Sequence, residues 1–161
     1  MAKGILKLLL GIFMLVPSIS MYIDFQQQCG GYLKQAADAN TVELARERLN
    51  LAVNYIEAKG YTTGYTSIFV KTEDENIGYW YQNIKACQNE LDSALNGSQL
   101  EKSNVLMKVR ESLTDNGEKG TELTIPSGLY AYPYNLLLGI IEWIAIILIA
   151  TGGFRIFAEW D

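Results

Sequence analysis

The chain has 161 residues, 49% of them hydrophobic, a formal net charge of -5 and no histidine. That length holds one modest domain. The missing histidine removes Ser–His–Asp and Cys–His catalysis and His-based zinc or haem sites, and no basic patch is present to recruit nucleic acid.

The first element is an apolar run from Ile5 to Ile23, "ILKLLLGIFMLVPSISMYI". Its length approaches the roughly 20 residues that cross a hydrocarbon core of about 30 Å. Lys3 and Lys7, the short apolar stretch and Ser18-Ile19-Ser20 also match a secretory signal. The segment is read as an uncleaved signal-anchor, with Lys7 extending toward the interface. "DFQQQCGGYLKQAADA" then continues outward as a helix interrupted at Gly30-Gly31.

Three further helices follow. Asn40 and Glu43 have capping-box spacing, Gly60 marks a stop, and Val42, Ala45, Leu49, Ala52 and Ile56 form one apolar stripe. Thr72 and Glu75 repeat the capping pair, and Glu73, Asp74 and Glu75 suit a positive helix N-terminus. Behind them Ile77, Trp80, Tyr81, Ile84, Cys87, Leu91 and Leu95 share a face. Asn96-Gly97 forms a turn, although with Ser98 it also matches a glycosylation acceptor. Ser98 with Glu101 opens a helix carrying Val105, Leu106, Val109 and Leu113. The stretches "GYTTGYTSIFV" and "TDNGEKGTELTIPSGLYAYPY" read as ordered loops with room for short strands. Within the second, Asp115 to Glu118 lacks the alternating ligands of a calcium loop and reads as a turn. Tyr61 and Tyr65 are placed to contact a partner or a sugar, or to cap the bundle.

Cys29 and Cys87, 58 positions apart, predict one disulfide in an oxidising compartment. In the chain-entropy model it contributes about 4 kcal/mol. The alternative is two unrelated buried thiols. Tyr130, Tyr132 and Tyr134 precede the last helix as interfacial aromatics.

The last element runs from Leu136 to Phe154, "LLLGIIEWIAIILIATGGF", and contains Glu142. An ionisable residue within the hydrocarbon is costly, about 2.5–3.5 kcal/mol at mid-membrane on insertion scales. The carboxylate has three possible roles: pairing with a basic residue of another subunit, hydrogen bonding within this chain or its oligomer, or lining a proton path. Within the chain, Ser18 and Ser20 are the expected contacts, because Lys7 sits too far toward the other end. Gly139, Ala145, Ala150, Gly152 and Gly153 gather on the Glu142 side as a helix-packing face.

The expected fold is an all-α membrane protein: two transmembrane helices flanking a small extracytoplasmic antiparallel helical bundle with loop insertions. The expected segments are 1–23, 24–133 and 134–161. Lys3, Lys7 and Arg155 direct both termini to the cytoplasm and residues 24–133 to the periplasm, a lumen or the exterior. That external segment carries 15 acidic and 10 basic residues. With about four residues before the first span and seven after the second, no cytoplasmic output domain is expected. No enzymatic activity, cofactor or metal is expected. The partners expected are other integral membrane subunits or a second copy of the chain, together with the bilayer. The expected function is an accessory or assembly subunit of a membrane complex, docking through the bundle and Glu142. The alternatives are an extracytoplasmic ligand- or peptide-binding module and, third, a homo-oligomeric channel or proton conductor.

Overall fold

A computed structural model describes residues 2–117 and 120–160 and is 76% helical. The chain divides into two compact units, Met1–Ile23 with Tyr130–Asp161, and Asp24–Leu129. Glu118, the last residue of the acidic turn, lies outside the described residues.

The first unit contains most of α1 (Ala2–Phe25) and all of α6 (Asn135–Ala158). Both helices are long and apolar enough to cross a membrane. Helix α1 runs unbroken through Pro17, although a proline inside a helix leaves the carbonyl four residues earlier without its usual donor. The two helices are antiparallel, because Gly4 meets Gly152 and Ile156 while Gly11 meets Ala145 and Ile149. A Cβ added at Gly11 would stand 2.7 Å from Cγ1 of Ile149 and 2.8 Å from the Ala145 carbonyl oxygen. Only glycine permits that approach. Phe13, Trp143 and Phe154 point outward and are exposed.

The second unit is a four-helix ring with an attached hairpin. A π turn at Gln26–Gly30 follows α1 and leads directly into α2 (Gly31–Ala37). The interruption therefore falls before Gly31, and helical geometry continues past both glycines. Helices α3 (Val42–Ala58), α4 (Ile77–Ala94) and α5 (Gln99–Leu113) complete the ring. Helix α2 packs on α3, α3 on α4, α4 on α5, and α5 returns to α2. The α3 stripe is fully inside, with Leu49, Ala45, Ala52 and Ile56 at 0% exposure. From α4, Ile77, Ile84 and Leu91 meet it, while Tyr81 and Leu95 stay half-buried.

The helix starts separate into three cases. Ser98 caps α5 with the full reciprocal box to Glu101. Thr41, not Asn40, caps α3, its hydroxyl accepting from the Leu44 N–H at 3.2 Å. Thr72 precedes a short 3-10 turn, Glu73–Glu75, and α4 begins only after Asn76, which accepts from the Tyr79 N–H at 3.0 Å. Asparagine and threonine both cap well; the nearer residue with extended backbone does so in each case. Gly60 ends α3 with φ +73, where a side chain would be strained.

Strands β1 (Thr114–Gly117) and β2 (Gly120–Leu123) form an antiparallel hairpin that places Asp115 opposite Glu122.

Candidate functional site

The α1–α6 contact repeats every seven residues. Gly4, Gly11 and Ser18 are buried on α1, and Leu138, Ala145 and Gly152 are buried on α6. A seven-residue repeat keeps one face turned toward its partner as two helices wind round each other. Gly4 fits between Gly152 and Ile156, and Gly11 between Ala145 and Ile149. The next step of seven brings Ser18 level with Leu138 and Glu142.

At that level the polar groups are unsatisfied. The Ser18 hydroxyl is buried and has no hydrogen-bond partner among the described residues. Glu142 is half-buried, and it has no hydrogen bond or ion pair with any described residue. The Ser18–Glu142 hydrogen bond expected from sequence is thus not formed in this structure. Ser20 is exposed, since two residues along a helix turn the side chain to the opposite face. Lys7 lies beside Gly152, ten residues from the Glu142 level and about 15 Å along the axis.

Of the expected packing face, Ala145 and Gly152 form the seam. A Cβ at Gly139 or Gly153 would meet nothing within 4 Å, and Ala150 is exposed. Their angles explain this. Residues seven apart differ by only about 20° on a helix, whereas one residue further on is turned by about 100°. An arc of small residues is wider than the line that touches a neighbour. Gly4 and Gly11 were missed, and their spacing to Ser18 was the available signal.

Tyr130 lies beside this level. Its ring meets Tyr22 edge-on at 5.4 Å. Burial raises its phenol above the ordinary value, and the Glu142 charge adds to that. Tyr132 is half-buried and Tyr134 is 58% exposed.

The second unit uses its polar groups differently. The Tyr55 hydroxyl donates to Asp24 at 2.8 Å, and Lys59 reaches the same carboxylate at 3.1 Å. Burial and that hydrogen bond push the Tyr55 phenol up. Phe25, Tyr55 and Tyr61 stack around this pair, with centroids 6.2–6.3 Å apart. Tyr61 is 3% exposed, so it is core and does not face a ligand. Tyr65 pairs with Asn76 in an isolated bridge, its hydroxyl accepting from the Asn76 amide at 3.3 Å.

The disulfide is absent. Cys29 and Cys87 are separate, buried, free thiols. Cys29 belongs to the π turn packed on α2 and α3, while Cys87 belongs to α4 and neighbours Ser112 of α5. Each thiol fills a different side of the bundle. Burial raises the Cys87 thiol above its ordinary value. Among the described residues no group of three His, Cys, Asp or Glu side chains is arranged to hold a metal ion.

Comparison with family models, curated proteins and solved structures finds no match to this chain.

Proposed function

We propose that the chain is an accessory or assembly subunit of a larger membrane complex, with Glu142 at a contact between membrane-spanning helices. The observation that carries this reading is the half-buried carboxylate on an apolar helix, level with a buried hydroxyl, neither having a hydrogen-bond partner among the described residues. In lipid such groups are stabilised by donors on a neighbouring helix. A lysine or arginine of another subunit supplies the charge that Glu142 lacks here. In this reading both termini are cytoplasmic, following Lys3, Lys7 and Arg155, and residues 24–133 form the external bundle. The loop before α4 adds a docking feature, because Ile68, Phe69 and Val70 are exposed, Phe69 at 89%.

The test is affinity purification of the tagged chain in mild detergent, beside Glu142→Gln, with mass spectrometry of what comes with it. A stoichiometric membrane partner, lost in the variant, is the expected result. A homo-oligomer of the same size in both samples would overturn the reading.

A further inference from the structure

Three cations gather on one side of the α1–α6 pair, at the end where Gly4 meets Gly152. Lys7 follows the seam residue Gly4 by three positions, and Arg155 follows Gly152 by three. Three residues turn a helix by about 300°, leaving each cation about 60° from the seam. In an antiparallel pair, equal offsets from the seam fall on the same side of the contact. Lys7 and Arg155 therefore share a side, and a Cβ on Gly152 would stand 3.2 Å from the Lys7 Cβ. Lys3, four residues before Lys7, lies on that face one turn further out, at about the level of Arg155. Glu142 precedes Ala145 by three, so it lies on the other side.

Little negative charge answers these cations. Lys3 and Lys7 form no hydrogen bond or ion pair with any described residue. Arg155 Nε donates to Glu159 at 3.0 Å, using one of five N–H donors on that side chain. Like charges four apart on a helix repel. The charge rule for topology asks for cations near this end, but not for all of them on one side. Along the same side the seven-residue repeat then turns apolar. One repeat inward, Leu10 replaces Lys3, Met14 replaces Lys7 and Leu148 replaces Arg155. Leu10 is exposed, and Met14 and Leu148 are half-buried, so this side of the contact is open. A cationic end continuing into an apolar surface complements a phosphate joined to an acyl chain.

We propose that this side of the α1–α6 pair binds an anionic glycerophospholipid. Lys3, Lys7 and Arg155 hold its phosphate through charge-assisted hydrogen bonds, as basic sites between spanning helices hold anionic head groups. One acyl chain lies along Leu10, Met14 and Leu148. The proposal rests on α1 and α6 spanning a membrane, and not on a partner at Glu142.

The full chain in nanodiscs of dioleoyl phosphatidylcholine with a small share of dioleoyl phosphatidylglycerol tests it. Native mass spectrometry of the released chain counts the lipids that stay bound. The expected result is one retained phosphatidylglycerol, enriched about tenfold over its share of the bilayer. Lys3→Gln with Lys7→Gln should abolish the enrichment. Adding Ala2→Lys and Ile5→Lys to that pair restores the net charge on the other side of α1, at positions that are exposed. The enrichment should stay lost. Its return would overturn the proposal, because cations anywhere at this end would then suffice. Excess inorganic phosphate, which has no acyl chain, should leave the lipid bound; displacement would assign the site to free phosphate instead. An inserted parent chain without enrichment would overturn this proposal alone. A chain that stays outside the nanodisc would overturn the spanning reading with it.

Discussion

The two units are held together by opposite means. In the second, large side chains fill the centre: Leu33, Leu49, Ile56, Ile84 and Leu91 are all within 2% of full burial. In the first, the contact depends on side chains that are missing, with Gly4, Gly11 and Gly152 bringing backbones together. In the proposed membrane setting the difference follows from solvent. Water drives apolar surface inward in proportion to area. Lipid supplies no such drive, so helix association depends on close packing and polar contacts. A residue of the same type thus has opposite value in the two units, and substitution separates them.

The largest effect is expected in the helical ring. Leu49→Ala removes a side chain with no exposure and should cost about 2–5 kcal/mol. Circular dichroism during thermal unfolding measures it. Unchanged melting would mean that α3 is not the centre of the core.

In the first unit the damaging change is an enlargement. Gly11→Val places a side chain where Ile149 and the Ala145 carbonyl already stand, with an expected cost of about 1–3 kcal/mol. Spin labels at the exposed positions Leu10 and Ile147 report it as a longer, broader distance distribution in nanodiscs. Gly139→Ala is the control, since its Cβ meets nothing within 4 Å, and helix propensity favours alanine by up to about 1 kcal/mol. If both variants separate the helices equally, the seven-residue seam is not the contact.

The thiols sharpen the comparison further. Cys29 and Cys87 occupy the second unit's core as small apolar side chains, so maleimide should label neither at the rate of an exposed thiol. Denaturant without reductant should expose both to labelling. Labelling of neither after denaturation would show that a disulfide joins them.

Periodicity made the second unit legible in sequence. The α3 stripe and the Ser98–Glu101 cap stand as read, because a 3.6-residue apolar repeat and a reciprocal cap are local signals. Cap choice at α3 and α4 was not legible: at α3 the adjacent Asn40 and Thr41 cap equally well, and at α4 a 3-10 turn separates Thr72 from the capping Asn76. The disulfide failed for a related reason. Cysteine count carries no information about which side of a bundle each thiol faces. In the first unit the apolar helices were plain, but the seam depended on angular differences of about 100°, finer than the broad small-residue arc that was read. Glu142 was conspicuous because its polarity contradicts its surroundings.

The smallest effect expected is electrostatic and belongs to the helix α3–α4 contact. Glu57 accepts from the Tyr81 hydroxyl at 2.7 Å and from Lys85 at 3.3 Å. The Tyr81 hydrogen bond, with Lys85 behind it, holds the carboxyl below its ordinary value despite some burial. A lowered folded-state value means that ionised Glu57 stabilises the fold above the unfolded pKa of about 4.3. That contribution is lost as pH falls through the folded value. The side chain is 44% exposed, so solvent screening limits the effect to a few tenths of a kcal/mol. Glu57→Gln should therefore melt slightly below the parent chain at pH 7, and the gap should narrow as pH falls below the unfolded value. Glu43 is lowered in the same direction by Lys102, so it titrates in both chains and cancels from the difference. A gap that stayed constant through the whole acid range, until the carboxyl is protonated in both states, would assign the effect to packing between α3 and α4 rather than to the charge on Glu57.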